Sequence, residues 1–312
     1  MSPTQNPTVR ISMRPILLYL LLAIGAPSAA AEPAHYARPE LLIDASDLEQ
    51  LLGDAPQVLR MKSAGDSRRN PPETLLDVRP MQAFRQGTIA AAHHVDVGEW
   101  KAAFGDGQDA HAWSARLGEV LLGADSTVIV FDDQLTPNAA RAWWILKYWG
   151  IKDVRILNGG MQAWRQAGGM VSSPIARHTQ TPIAATPHPE RLATAQEVME
   201  CIGKDDNEVC LIDTRTTSEV QSGYIPTACH TDWQEYVDPA TGKMRSAAEL
   251  EKLLARARFD RARETVAYCQ SGGRASVVAF AAELMGGEHV ANYFGSWGEW
   301  SRLPSVPIAK PE

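Results

Sequence analysis

The first 200 residues contain no cysteine, and the whole chain of 312 has four: Cys201, Cys210, Cys229 and Cys269. No two of them have the spacing of a metal-binding pair. Four thiols in a chain this long exclude a disulfide scaffold. Cys201 and Cys210 could pair with each other; two free buried thiols are the favoured reading. Neither a metal nor a cofactor is expected. Basic runs are also missing. With a formal net charge of -7, nucleic acid is not an expected partner. So mild an acidity speaks for solubility rather than for one partner. The apolar run Ile16 to Ala26 is too short to cross a hydrocarbon core, which needs about 20 residues.

That run belongs instead to a leader. Arg10 and Arg14 precede it, and Pro27 and Ser28-Ala29-Ala30-Ala31 follow it. A positive flank, a short apolar stretch and a small-residue site describe a secretory signal peptide over residues 1–31, cleaved after Ala31. Export to the periplasm is expected, with no stable membrane anchor. Such a compartment lets disulfides persist.

The rest of the chain repeats itself at an offset of 136 residues. Leu75-Leu76-Asp77-Val78-Arg79 lies opposite Leu211-Ile212-Asp213-Thr214-Arg215. Gly87-Thr88-Ile89 lies opposite Gly223-Tyr224-Ile225, and His94, Asp96 and Glu99 opposite His230, Asp232 and Glu235. Trp164 meets Trp300. A period this long indicates a duplicated domain, since solenoid units run about 20–50 residues. The proline-rich stretch 172–189 suits an extended connector. The first domain is assigned to 32–176, the linker to 177–189 and the second domain to 190–312.

Each copy alternates strand-like and helix-like segments. Thr74 to Val78, Thr127 to Phe131, Val209 to Thr214 and Thr265 to Tyr268 are short apolar runs of the buried-strand kind. Asn138 to Trp149 and Ala275 to Met285 are long enough for helices and rich in Ala, Leu and Trp. The fold class is therefore α/β, each copy a mostly parallel sheet flanked by helices.

The chemistry concentrates in Cys269-Gln270-Ser271-Gly272-Gly273-Arg274. A cysteine ends a strand, and four residues intervene before an arginine that opens a helix. Glycines let such a loop turn its backbone N–H groups inward. The helix N-terminus adds a partial positive charge, and Arg274 a full one. This field favours a thiolate, the nucleophilic form of cysteine, and an anionic sulfur attached to it. Cys269 is the candidate nucleophile; Gln270, Ser271, Gly272, Gly273 and Arg274 are the candidate substrate-binding loop. At the same offset Asp133 stands opposite Cys269, preceded by a second carboxylate, Asp132. The first copy is expected to be catalytically silent.

These motifs resemble the tandem rhodanese family, the thiosulfate and 3-mercaptopyruvate sulfurtransferases. The resemblance spans nearly all of residues 40–304. It includes Leu76-Asp77-Val78-Arg79, Val128-Ile129-Val130-Phe131-Asp132, Arg141-Ala142-Trp143-Trp144 and Leu157-Asn158-Gly159-Gly160 in the first copy. In the second it includes Asp213-Thr214-Arg215, Gly223-Tyr224-Ile225-Pro226, the Cys269 loop and Gly295-Ser296-Trp297-Gly298-Glu299-Trp300. It implies two tandem rhodanese-like domains, the first inactive and the second catalytic. It also implies a Cys269 persulfide that relays sulfur from a small-molecule donor to a thiophilic acceptor, cyanide or a thiol. Alternatives are a 3-mercaptopyruvate sulfurtransferase and a non-catalytic sulfur carrier or binding protein. A phosphatase is a more distant one, because phosphatase loops hold five residues between Cys and Arg. The oligomeric state has no sequence signal.

Departures from the family pattern bear on the donor. The family's substrate-binding arginine falls here on Glu219, and Gly87-Thr88-Ile89-Ala90 stands where Gly-His-Ile-Pro is usual. His94 and His230 read as duplicated fold determinants, and Asp77–Arg79 and Asp213–Arg215 as internal ion pairs. Trp143 and Trp144 suggest a packed contact between domains, and Trp297 is a lesser candidate for the pocket border.

Overall fold

A computed structural model describes residues 35–53, 73–121, 125–174, 181–202 and 208–311. The leader assigned to 1–31 lies outside the described residues, as does 177–180 of the linker. The first copy has strands β1 (Leu42–Ile43), β2 (Thr74–Asp77), β3 (Thr88–Ile89), β4 (His93–His94), β5 (Val128–Phe131), β6 (Val154–Leu157) and β7 (Val171–Ser172), of which β2 and β5 are the expected apolar runs. The second copy supplies β8 (Val209–Asp213), β9 (Cys229–His230), β10 (Glu264–Tyr268) and β11 (His289–Asn292). Every residue of β2 and β5 is buried. Strands covered on both faces need continuous apolar sequence rather than alternation.

The first sheet has the order β1-β6-β5-β2-β4 and the second β11-β10-β8-β9, all parallel. The duplication extends to the edges. Where β1 pairs with β6, the second copy keeps the parallel bridge Leu192↔Asn292. Where β3 pairs antiparallel with β7, it keeps the bridge Tyr224↔Ala309. Among the described residues no helix is long and apolar enough to cross a membrane.

One hydrophobic cluster spans both copies, beside a separate cluster in each. The helices Pro137–Tyr148 and Gly273–Leu284 occupy equivalent positions and pack on each other. All residues of Gly273–Leu284 except Arg274 are buried. A helix apolar on every side must sit inside the molecule, here between its own sheet and the other copy. Trp143 meets Phe280 edge-on with centroids 4.9 Å apart. Trp144 stacks on Phe294 at 5.1 Å, and Phe104 adds a third ring to that group at 4.7 Å from Phe294. Trp143, Trp144, Val277, Phe280 and Phe294 belong to a single hydrophobic cluster. The packed contact expected from the tryptophans is present.

The paired motifs are structural in both copies. Arg79 Nη2 donates to Asp77 at 2.6 Å and to the Gly87 carbonyl at 2.7 Å. Arg215 repeats this with Asp213 at 2.6 Å and Gly223 at 2.8 Å. His94 and His230 each place Nε2 2.8 Å from a carbonyl oxygen, of Arg79 and Arg215 respectively. Both ion pairs are buried, so the carbonyl bonds that complete them are what make such burial tolerable.

Candidate active site

Cys269 follows the last residue of β10, and Gly272 caps the helix that begins at Gly273. In the sheet order the chain turns opposite ways from β8 and β10. That is a topological switch point, and open α/β sheets bind ligands outside their strand ends there. Cys269 is 1% exposed, packed with Ala267 and Ala275.

The loop amides do not all face the sulfur as the sequence suggested. The Ser271 N–H points to Cys269 Sγ at 3.4 Å. Those of Cys269 and Gly272 instead donate to Ser296 Oγ, both at 3.1 Å. Ser296 Oγ donates in turn to the Tyr293 carbonyl at 2.7 Å. Ser296 adopts φ +56°, an uncommon conformation for a serine, and these bonds hold it there. From behind, Asn292 Nδ2 donates to the Gly272 carbonyl at 2.9 Å. Gly272 itself needs φ +83°, and a side chain there would meet the Phe294 backbone. The candidate loop is thus clamped by 292–296, a segment the sequence reading did not single out for this purpose. Trp297 lies beside it: its N–H donates to the Cys269 carbonyl at 3.0 Å, and its ring faces Arg215 at 4.3 Å.

Arg274 is less free than its position implied. It donates to both oxygens of Glu219, at 2.5 and 2.8 Å, the strong bidentate geometry. The Arg274 hydrogen bonds push the Glu219 carboxyl down to about 2. Bonds to Glu219, and then the field of Cys269, raise Arg274 above its ordinary value.

Two cations from the first copy also reach this site. Arg141 Nη2 donates to the Ser271 carbonyl at 2.8 Å, and its guanidinium lies within the field of Cys269. Lys101 lies within electrostatic reach of both Arg141 and Cys269. Arg141 stands in a sequence motif that points to no role for it, and Lys101 has no sequence signal, because only the packing of the copies brings it near.

In the first copy the carboxylate at the cysteine's place is Asp132, not Asp133. Trp297 N–H bonds the Cys269 carbonyl, and Met161 N–H bonds the Asp132 carbonyl. Phe131 ends β5 five residues before the cap Thr136, whereas Tyr268 ends β10 four before Gly272. The first loop is one residue longer, so a constant offset misaligned it by one. Asp132 is buried, accepting from the Asp133 N–H at 2.8 Å and from the Thr136 hydroxyl. Burial pushes its carboxyl up to about 6 from an ordinary 3.8. A raised acid favours folding while protonated, and that advantage is lost as pH rises from about 4 through 6. Asp132→Asn is therefore expected to stabilise the protein above pH 6 by about 1–3 kcal/mol, with no gain below pH 4. Denaturant unfolding at both pH values checks this; an equal effect at both would contradict it.

The four cysteines carry no disulfide. Cys201 and Cys210 are buried, and Cys210 donates to the Ala257 carbonyl at 2.9 Å. Burial pushes the Cys210 thiol up to about 12. A cavity of about 640 Å³ opens at the other ends of β10 and β11, lined by Arg38, Arg191, Glu264, Glu283 and His289 among others. It does not include Cys269.

Residues 54–167 and 194–303 each match the rhodanese-like domain. The chain is 31% identical over 304 residues to the thiosulfate sulfurtransferase of Corynebacterium glutamicum, covering 89% of this chain and 93% of that one. It is 28% identical over 298 residues to the sulfur carrier protein TtuD of Thermus thermophilus, covering 89% and 99%. The crystal structure of the anaerobic ergothioneine biosynthesis enzyme from Chlorobium limicola, in complex with trimethyl histidine, has the same fold: TM-score 0.73 at 22% identity, over 89% of this chain and 72% of that one. Two domain matches on one chain, and a relative above 30% identity across nearly the full length of both proteins, agree with the duplicated sheets: the chain belongs to the rhodanese-domain sulfurtransferase family, as two tandem copies.

Proposed function

We propose that the chain moves sulfane sulfur from a donor such as thiosulfate to cyanide or a thiol through a persulfide on Cys269. The carrying observation is the position of Cys269, at a strand end and a helix N-terminus with the Ser271 N–H at its sulfur. The Cys269 thiolate attacks the outer sulfur of thiosulfate. A new S–S bond forms, and sulfite leaves with the electron pair of the old one. The acceptor then attacks the outer sulfur of the persulfide and returns the thiolate. Two easier displacements replace one difficult transfer. The first copy, with Asp132 in the cysteine's place, has no thiol for this step. In this reading residues 1–31 are a cleaved leader, and the reaction takes place in the periplasm.

Similarity to a sulfur carrier protein supports a second reading, in which Cys269 loads but does not turn over. Steady-state rates with thiosulfate, 3-mercaptopyruvate and polysulfide, each with cyanide, separate the readings. Turnover with thiosulfate is expected. Loading of one sulfur without turnover indicates the carrier, preference for 3-mercaptopyruvate the related transferase. No loading from any donor sinks all of them.

A further inference from the structure

We infer that Arg141 and Lys101, both carried by the first copy, receive the anionic end of the sulfur donor above Cys269, and that Glu219 removes Arg274 from that role. This rests on the sulfurtransfer reading, because a donor such as thiosulfate has a sulfur to give and charged oxygens to hold. The field around Cys269 contains three cations, and they are not equivalent. Arg274 is bidentately neutralised by Glu219. Among the described residues, Arg141 and Lys101 have no carboxylate partner.

The geometry around Arg141 indicates a guanidinium held in position with donors to spare. Of its five N–H groups, those of Nη2 serve Ser271, 2.8 Å from the carbonyl and 3.5 Å from Oγ. Its Nε is buried and has no hydrogen-bond partner among the described residues. Its Cζ lies 5.9 Å from the centre of the Phe294 ring. Gly273 is what lets it come so close, since a Cβ there would lie 2.5 Å from Arg141 Nη2. The backbone of Gly273 has an ordinary φ, so its missing side chain serves the approach of Arg141 and not a turn. Lys101 extends the same charge from the helix Val97–Phe104, which packs on the helix Pro137–Tyr148 that carries Arg141. Burial, and then the like charge of Arg141, lower the Lys101 ammonium below its ordinary value. Two half-buried cations that repel each other beside a nucleophile are a costly arrangement unless an anion comes between them.

The division of labour follows from chemistry. Thiosulfate must present its outer sulfur to Cys269 and its oxygens elsewhere. Planar guanidinium forks suit such oxygens, and an ammonium adds a point charge. With Arg274 occupied, the cations left for them come from the other copy. The first domain, silent as a nucleophile, would then set which donors are accepted.

A pair of probes of similar size and different charge tests this on the full chain without relying on turnover. Iodoacetate is anionic and iodoacetamide neutral, and both alkylate Cys269. The rate ratio, corrected by that of free cysteine, reads the local field, while a damaged loop would change both rates together. Lys101→Met and Arg141→Gln are each expected to lower the ratio about tenfold. Arg141→Lys should recover part of it. Gly273→Ala should lower it too, by pushing the guanidinium off Ser271. Glu219→Gln should raise it by releasing Arg274. An unchanged ratio in both Lys101→Met and Arg141→Gln overturns the assignment, as does a fall in Glu219→Gln. Thiosulfate loading measured by mass in the same samples judges sulfurtransfer separately, because the alkylation ratio does not depend on it.

Discussion

Replacing Cys269 by serine is expected to remove the sulfur adduct completely and to reduce turnover by about 10⁴ or more. Wild-type protein incubated with thiosulfate should gain about 32 Da, one sulfur on one nucleophile. The size of the effect follows from what a hydroxyl cannot do: it forms no persulfide, and it does not ionise near neutral pH. The substitution is also mild for the fold. Its neighbours Ala267 and Ala275 are small, and the Ser271 N–H that faces the sulfur at 3.4 Å can donate to an oxygen instead. Thermal stability should therefore stay close to wild type, which separates lost chemistry from lost structure. The remaining thiols are poor substitutes. Cys210 is pushed up to about 12 by burial and bonded to a carbonyl, and Cys201 is buried. Cys201→Ser, Cys210→Ser and Cys229→Ser should still acquire the adduct. Sulfur uptake or turnover in Cys269→Ser would end the persulfide proposal.

Much of this architecture is legible in the sequence. The duplication rests on residues whose duties are local and therefore identical in both copies: Asp77 with Arg79 and Asp213 with Arg215, each closing on the glycine carbonyl eight residues beyond its arginine. The buried strands were legible because sheets covered on both faces require unbroken apolar runs. The Cys269 loop was legible because strand, glycines and helix are consecutive in the chain. What escaped is what folding alone brings together. Arg141 and Lys101 lie more than 100 residues from Cys269 in sequence, and no periodicity points at a partner in the other copy. Glu219 was legible as a departure from the family pattern, but its capture of Arg274 was not. A one-residue difference in loop length was invisible to a fixed offset, so Asp133 stood in for Asp132.

Separating the two copies is expected to unfold the second. Residues 190–312 expressed alone would expose the face of Gly273–Leu284 that carries Val277 and Phe280, together with Phe294, all buried in the full chain. Each large apolar side chain returned to water forfeits about 1.5–3 kcal/mol, and a domain has only about 5–15 kcal/mol in total. The segment should bind hydrophobic dye and melt without a cooperative transition. Trp144→Ala in the full chain measures the same contact without removing a domain. Trp144 is fully buried and stacked on Phe294, so its truncation should cost about 3–5 kcal/mol. At roughly 2–4 °C per kcal/mol for chains of 150–250 residues, the midpoint should fall by about 6 °C or more. The consequence reaches the site, because Arg141 lies three residues before Trp144 on the same helix and Phe294 packs on the Gly272 turn. Loss of the ring should therefore slow sulfur loading even at temperatures where the variant remains folded. Calorimetry and loading rates on one preparation test both effects. A cooperative melt and wild-type kinetics for isolated 190–312 would show that the first copy contributes neither the core nor the charge assigned to it.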